Sequence, residues 1–126
     1  MNKKLLITDD ALIIRTIIKD VTTEAGWSVV GEAGNGAEAV ELYKKLQPDA
    51  VTLDLVMPVS DGLHAIEGII EHDPEAKILV VSALEQTDIL RQALQLGASD
   101  FIIKPFHKDS VVSALEKMVG QTAEVG

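Results

Sequence analysis

Five short apolar runs recur at similar intervals along the chain. They are rich in β-branched residues, and most of them are nearly solid rather than alternating in polarity. Strands that are covered on both faces have this composition. The pattern therefore predicts five buried parallel strands, which begin near Leu5, Val29, Ala50, Ile78 and Phe101.

The segments between these runs repeat their apolar residues at helical spacing. The pair Asn35-Gly36 is typical of a hairpin, but the stretch 37–46 has a helical period, which favours a helix there. The first predicted helix covers about residues 11–25, and we expect its apolar stripe to face the core. That stripe consists of Ile13, Ile14, Ile17, Ile18 and Val21.

Strands and helices alternate strictly in this interpretation. Crossovers between parallel strands are right-handed, so the helices come to cover both faces of one sheet. The sequence therefore predicts an α/β fold with a five-stranded, doubly wound parallel sheet. We expect residues 1–120 to form one domain, residues 121–126 to be a frayed tail, and no output domain to follow.

Polar residues follow the predicted strands. Asp9 and Asp10 come after the first strand, Asp54 after the third, Ser82 after the fourth and Lys104 after the fifth. In an open parallel sheet, ligands bind beyond the carboxyl ends of the strands. Three neighbouring carboxylates repel one another unless positive charge compensates them. Lys104 and a divalent cation would supply that charge, and oxygen-only ligands favour Mg²⁺.

Each of these residues also has a plainer interpretation. Asp10 could be the N-cap of the first helix, and Ser82 could cap the fourth. Asp54 could be a solvated loop acid, and Lys104 a surface cation. These separate interpretations do not explain why the five groups follow strand ends that meet at one edge.

An aspartate beside Mg²⁺ and an ammonium group can act as a nucleophile toward phosphorus and form an acyl phosphate. Asp54 is the best candidate because it ends a central strand, whereas Asp9 and Asp10 form a metal-holding pair. The hydroxyl of Ser82 can donate to a phosphoryl oxygen.

Composition narrows the class of protein. The 126 residues include 11 Lys plus Arg and 20 Asp plus Glu, a formal charge of −9, which argues against nucleic-acid binding. The absence of cysteine excludes disulfides and thiolate metal sites. No apolar run approaches the roughly 20 residues of a membrane span. The apolar stretch in residues 1–7 is too short for a signal peptide, so we expect none there. We expect a cytoplasmic protein without membrane insertion.

The motifs around these residues are specific. At these positions the chain resembles the receiver domain of two-component response regulators over essentially its whole length, and most of all single-domain chemotaxis regulators of the CheY type. The resemblance implies a flavodoxin-like sheet with strand order 2-1-3-4-5. The matching motifs are Asp9-Asp10 with Arg15, Asp54, residues 57–62, Ser82-Ala83, and Phe101 before Lys104-Pro105-Phe106.

The resemblance also implies roles around the metal. Asp54 would be the phosphoacceptor. Asp10, Asp54 and the backbone carbonyl of Val56 would bind Mg²⁺, and Asp9 would hold a metal-bound water.

Other implied roles concern the phosphoryl group and the response to it. Lys104 would pair with a phosphoryl oxygen, and Ser82 and Phe101 would form the switch pair. The bond before Pro105 would be cis.

The implied function is that of a stand-alone response regulator rather than an enzyme, although it assists its own phosphorylation and dephosphorylation. A histidine kinase would be the phosphodonor. An effector such as a flagellar switch component would bind the face made by the fourth helix, fifth strand and fifth helix, a phosphatase could end the signal, and the protein would be a monomer. The alternative is a receiver of a non-chemotaxis phosphorelay or a phosphate sink.

Two other classes of protein fit less well. A flavodoxin-like flavin carrier needs a glycine-rich loop after the first strand, whereas residues 8–11 are acidic and lack glycine. A phosphatase with an Asp nucleophile needs a second Asp two residues later, where this chain has Val56. Val56 and Leu84, each two residues beyond a site residue, are both apolar, which predicts slow loss of the phosphoryl group.

Overall fold

The computed structural model describes residues 3–57 and 61–120, except for the side chain of Leu84. Residues 58–60 of the matching motif and the expected tail at 121–126 lie outside the described residues. The strands are β1 (Lys3–Thr8), β2 (Trp27–Ala33), β3 (Ala50–Asp54), β4 (Ile78–Ala83) and β5 (Asp100–Lys104). The helices are α1 (Leu12–Glu24), α2 (Gly36–Leu46), α3 (Gly62–His72), α4 (Thr87–Leu96) and α5 (Lys108–Gly120), and a 3₁₀ turn covers Leu84–Gln86.

The five strands form one parallel sheet in the order β2-β1-β3-β4-β5. This arrangement confirms the predicted α/β class and strand order. Strand β3 is central, between β1 and β4, so its last residue, Asp54, lies in the middle of the carboxyl edge.

The sheet separates two hydrophobic clusters. Side chains alternate between the two faces of a strand, so a run that must fill both clusters is apolar at every position. In β1, Leu6 belongs to the cluster under α2, α3 and α4, whereas Leu5 and Ile7 belong to the cluster under α1 and α5. In β4, Val80 and Val81 are divided in the same way. This two-sided burial is the physical cause of the nearly solid runs in the sequence.

Helix α2 begins at the Asn35-Gly36 pair, which is typical of a hairpin. Asn35 is its N-cap, and its Oδ1 accepts a hydrogen bond of 3.0 Å from the N–H of Glu38. The Glu38 carboxylate in turn accepts a bond of 2.8 Å from the N–H of Gly34. The first bond satisfies a free backbone donor of the first helical turn, and the second ties the residue before the N-cap to the helix, so the Asn-Gly pair begins a helix rather than a β-turn.

Helix α1 differs from the prediction in which face it buries. Ile18 is buried, but Ile13 and Ile17 are 69% and 37% exposed. The buried face also includes Thr22, whose hydroxyl donates a 2.7 Å hydrogen bond to the carbonyl of Ile18 in the same helix. Because this bond satisfies the hydroxyl, Thr22 can occupy a core position. The buried face of α1 therefore runs through Ile14, Ile18 and Thr22, and only the Ile13 and Ile17 part of the predicted stripe is wrong.

Within residues 3–57 and 61–120, no helix combines the length and apolar character needed to cross a membrane.

Candidate functional site

Three carboxylates meet at the carboxyl edge of the sheet. Asp9 follows β1 directly and Asp54 ends β3, and Thr8 is paired with Leu53 between these neighbouring strands. One carboxylate oxygen from each of Asp9, Asp10 and Asp54 lies within 4.8 Å of the other two. Asp9 and Asp54 are buried and Asp10 is exposed. The structure thus brings together the three acids that the sequence placed at this edge.

Asp9 forms hydrogen bonds through its N–H, its carbonyl and both of its carboxylate oxygens. Its N–H donates to the carbonyl of Ala33 over 3.0 Å. Its carboxylate accepts from the N–H of Ala11 over 2.9 Å and from the ammonium of Lys104 over 3.0 Å. Its carbonyl accepts from the guanidinium of Arg15 over 2.6 Å. The loop between β1 and α1 is therefore fixed in position by contacts from β2, α1 and β5.

The alternative role of Asp10 as a helix cap does not hold. Ala11 occupies the N-cap position of α1, with extended backbone and no side-chain cap. The acid that accepts a bond at this helix start is Asp9. Asp10 instead offers a carboxylate oxygen to the acidic group.

Lys104, the last residue of β5, extends its ammonium group between two of the acids. Its Nζ lies 3.0 Å from Asp9 Oδ2 and 3.5 Å from Asp54 Oδ2. Burial acts to lower the pKa of Lys104, but the hydrogen bond to Asp9 and the charges of Asp54 and Asp9 outweigh it and raise the pKa. Lys104 is therefore a permanent cation in this site at neutral pH.

Lys104 does not fully compensate the unfavourable environment of the negative charge on Asp54. Burial and the negative charge of Asp9 raise the pKa of Asp54, against the opposing effects of Lys104 and of the Val56 N–H. That N–H lies 3.3 Å from Asp54 Oδ1. A divalent cation would relieve this remaining repulsion, and the donors are carboxylate oxygens without nitrogen or sulfur. The donor set therefore fits a hard cation such as Mg²⁺.

Ser82 lies beside this group on the next strand. Its neighbour Val81 is paired with Asp54, so Ser82 is one residue further along the same edge. The buried Ser82 hydroxyl donates to Gln86 Oε1 over 2.8 Å, and the N–H of Ala83 donates to the same oxygen over 3.1 Å. Sequence reasoning missed Gln86, because a glutamine four residues after a serine is an ordinary surface pattern.

Three further residues were predicted from the sequence. Val56 and Pro105 follow β3 and β5, whereas Phe101 lies within β5 beside Val80 of β4. Phe101 in β5 is 39% exposed, and Val56 is 47% exposed two residues beyond Asp54. The Lys104–Pro105 peptide bond is cis.

Gly62 is also part of the site. A Cβ added at this first residue of α3 would lie 2.5 Å from the carbonyl oxygen of Asp54 and 2.6 Å from Cα of Leu55. Its N–H also donates to the carbonyl of Leu55 over 2.9 Å. Gly62 stood in the matching motif, but no sequence pattern gave its physical reason, which is this close approach to the backbone beside Asp54.

Comparison with known proteins agrees with this geometry. Residues 5–116 match the family model described as the response regulator receiver domain. The chain is 51% identical to the chemotaxis protein CheY of Thermotoga maritima, with 94% of this chain and 98% of that protein covered. It is 42% identical to protein CcdB of Bacillus subtilis, with 93% and 98% covered.

A solved structure from Borrelia burgdorferi, a complex of CheX with CheY, BeF₃ and Mg²⁺, is also similar. Its TM-score is 0.86 at 32% identity, with 91% of this chain and 87% of that chain covered. With the acidic group, the neighbouring lysine and the strand order already established, the chain belongs to the response regulator receiver family, as a CheY-like member whose acidic site fits Mg²⁺ binding and phosphorylation.

Proposed function

We propose that Asp54 accepts a phosphoryl group from a histidine kinase and that the modified domain then binds an effector. The observation that carries this proposal is the position of Asp54, buried at the end of the central strand with two other acids and the Lys104 ammonium around it. A structural aspartate would not need a site in which burial and Asp9 both oppose its charge.

The residues for Mg²⁺ in this proposal are Asp10, Asp54 and the backbone carbonyl of Val56, with Asp9 holding the ion indirectly. Asp10 is exposed and so offers its carboxylate to an ion from solvent. Asp9 already accepts hydrogen bonds at both carboxylate oxygens, which suits a supporting role. When bound, Mg²⁺ would neutralise negative charge on the phosphoryl oxygens.

The chemical step is a displacement at phosphorus. A carboxylate oxygen of Asp54 attacks the phosphorus of a phosphohistidine, the new O–P bond forms, and the P–N bond breaks. The imidazole nitrogen leaves with the electron pair and takes up a proton. Lys104 pairs with a phosphoryl oxygen, and the Val56 N–H helps to keep Asp54 in its charged, nucleophilic form.

The response to phosphorylation involves Ser82 and Phe101. An acyl phosphate adds charged acceptors that the Ser82 hydroxyl can meet only by leaving Gln86. That movement would give the exposed ring of Phe101 room to turn inward. To move the equilibrium from 1:99 to 99:1, phosphorylation must favour the active state by about 10⁴-fold.

The effector surface in this proposal is the face formed by α4, β5 and α5. Leu94 on α4 and Phe101 on β5 are exposed large apolar residues of this face. A partner that covers both would bury apolar area on binding. Rotation of Phe101 would change this surface directly.

The pathway we propose is chemotaxis signalling by a monomer, with the flagellar switch as effector and a phosphatase that ends the signal. The similarity to proteins named chemotaxis protein CheY supports it. The second candidate is a receiver outside chemotaxis, because the chain is also similar over the same length to protein CcdB, whose name does not mention chemotaxis. Binding to a flagellar switch peptide after phosphorylation separates the two.

The decisive test is incubation with acetyl phosphate and Mg²⁺ followed by intact-protein mass spectrometry. We expect one base-labile phosphoryl group on the parent protein and none on Asp54→Asn, because an amide is not a competent nucleophile. Asp88→Asn, which changes an exposed acid in the first turn of α4, is the control and should be labelled normally. Labelling of Asp54→Asn at the parent rate would refute the assignment.

A further inference from the structure

Arg15 connects three elements through two hydrogen bonds. Its Nε donates to the carboxylate of Glu32 in β2 over 3.0 Å. Its NH1 donates to the main-chain carbonyl of Asp9, in the loop after β1, over 2.6 Å. Arg15 itself lies in the first turn of α1, and its side chain is mostly buried. The guanidinium is a planar fork, so one bond constrains the direction of the other.

The carbonyl of Asp9 lies between the two neighbouring acids of the site along the backbone. It belongs to the peptide unit that joins Asp9 to Asp10, and a peptide unit is planar. A hydrogen bond that fixes this carbonyl therefore fixes the plane from which both acidic side chains extend. No other contact described for the site acts on this peptide unit through its carbonyl.

Arg15 also differs from Lys104 in what it binds. Lys104 contacts the carboxylates themselves, whereas Arg15 contacts the backbone behind them and has its charge neutralised by Glu32. Arg15 therefore leaves the carboxylate oxygens free for a cation.

We propose that Arg15, held in place by Glu32, is a positioning residue that sets the peptide plane between Asp9 and Asp10 and so determines the Mg²⁺ affinity of the site. This inference rests on the proposed Mg²⁺ site. Groups behind metal ligands contribute about 10- to 100-fold to metal affinity in other sites, and the expected effect is near the lower figure.

Lys19 provides a matched control. It lies on the same helix, carries the same charge and contacts the same carboxylate, with Nζ 3.6 Å from Glu32 Oε2, but it is exposed. Removal of either cation near an acidic site should strengthen Mg²⁺ binding through charge alone. The positioning role predicts the opposite sign for Arg15, so a charge effect and a positioning effect cannot be confused.

The experiment measures Mg²⁺ binding by titration calorimetry without any phosphodonor. We expect Arg15→Ala to weaken Mg²⁺ affinity by about ten-fold and Lys19→Ala to leave it equal or slightly stronger. Arg15→Lys keeps the charge but cannot contact Glu32 and the Asp9 carbonyl with one planar fork, so it should also weaken binding.

Phosphorylation by acetyl phosphate separates positioning from chemistry. For Arg15→Ala the Mg²⁺ concentration that gives half the maximal rate should rise, while the rate at saturating Mg²⁺ recovers. Parent-like Mg²⁺ affinity in Arg15→Ala, or in Arg15→Lys should the alanine variant not fold, would overturn the inference. Failure of the parent protein to bind Mg²⁺ would instead overturn the proposed function.

Discussion

The hydroxyl of Ser82 donates its proton to the side-chain oxygen of Gln86 over 2.8 Å. The orientation of that amide is fixed independently, because the N–H of Ala83 also needs the oxygen as its acceptor, at 3.1 Å. A hydroxyl has one proton to donate, so Ser82 cannot donate to a phosphoryl oxygen while it is bound to Gln86. Under the proposed function, in which Ser82 donates to the phosphoryl group, the bond to Gln86 stabilises the unphosphorylated conformation.

Removal of this bond should ease activation. A neutral hydrogen bond contributes about 1 kcal/mol, so Gln86→Ala should shift the resting equilibrium by about five-fold toward the active conformation. We expect a faster initial rate of phosphorylation by acetyl phosphate at fixed Mg²⁺. The exposed Gln92 of α4 gives the control, Gln92→Ala, which should behave like the parent. A Gln86→Ala rate equal to or below the parent rate would contradict this role.

A methyl group at position 62 should disturb the site through the backbone. In Gly62→Ala the new Cβ would meet the Asp54 carbonyl oxygen at 2.5 Å, and strand β3 cannot move away without losing its pairing. We expect a loss of about 2 kcal/mol in the free energy of unfolding, and slower labelling of Asp54. Urea unfolding and acetyl phosphate labelling measure the two effects.

Gly68→Ala is the control for this change. Its Cβ would also meet an atom at 2.8 Å, but that atom is a side-chain methyl of Val40 rather than backbone. Alanine inside a helix also gains up to about 1 kcal/mol over glycine. Labelling of Asp54 should remain normal in this variant, and equal losses in both variants would mean that the backbone contact at position 62 is not special.

Much of the fold follows from the sequence because burial on both faces of a sheet leaves a visible pattern. The strands and the meeting of Asp9, Asp10 and Asp54 were predictable in this way, whereas the strand order was implied by the resemblance to receiver domains. The face that α1 buries was predicted only in part, because it includes Thr22, whose hydroxyl is satisfied inside the helix. Hydrophobicity alone treats that residue as polar and places Ile13 in the core.

The contacts that hold the site residues in place could not be predicted from the sequence either. Arg15 and Glu32 are 17 positions apart, and only the pairing of β1 with β2 brings them together. Gln86 lies in a 3₁₀ turn whose shape no periodicity predicts. Contacts of this kind depend on the tertiary fold rather than on local patterns.

The single tyrosine should resist ionisation. Tyr43 is buried and donates a 2.8 Å hydrogen bond to Asp73, and burial, followed by this bond and the charge of Asp73, raises the pKa of Tyr43. A raised phenol pKa means that the folded state holds the proton more firmly than the unfolded state. The resulting stability is present below the ordinary value near 10 and is lost as pH rises through the folded pKa.

Ultraviolet titration measures this directly, since no other tyrosine contributes. We expect no phenolate in the folded protein at about pH 10, where a free tyrosine is half ionised. Tyr43→Phe should lose about 1 kcal/mol at neutral pH, and its stability should depend less on pH above 10. If phenolate forms near pH 10 while the protein is still folded, the hydrogen bond between Tyr43 and Asp73 is not maintained in solution.

The lifetime of the phosphoryl group should depend on Val56. Hydrolysis needs a water aligned with the Asp54–phosphorus bond, and Val56, about half exposed beside Asp54, can neither orient nor polarise that water. We expect Val56→Asn to speed loss of the phosphoryl group. A general acid or base typically raises a rate by at least about a hundred-fold. The increase in the rate of phosphoryl loss should be smaller than this, because an amide can orient water without taking its proton.

The second apolar position beside the site, Leu84, has its side chain outside the described residues, so Val56 is the position to test first. Leu94→Asn makes the same kind of change at an exposed leucine of α4 and should leave the lifetime unchanged. The rate is measured by mass spectrometry after removal of excess acetyl phosphate. If Val56→Asn loses its phosphoryl group no faster than the parent, access of water past position 56 does not limit the lifetime. If it is faster while Leu94→Asn is not, Val56 slows the intrinsic decay, and in a motility pathway a separate phosphatase must then provide fast termination.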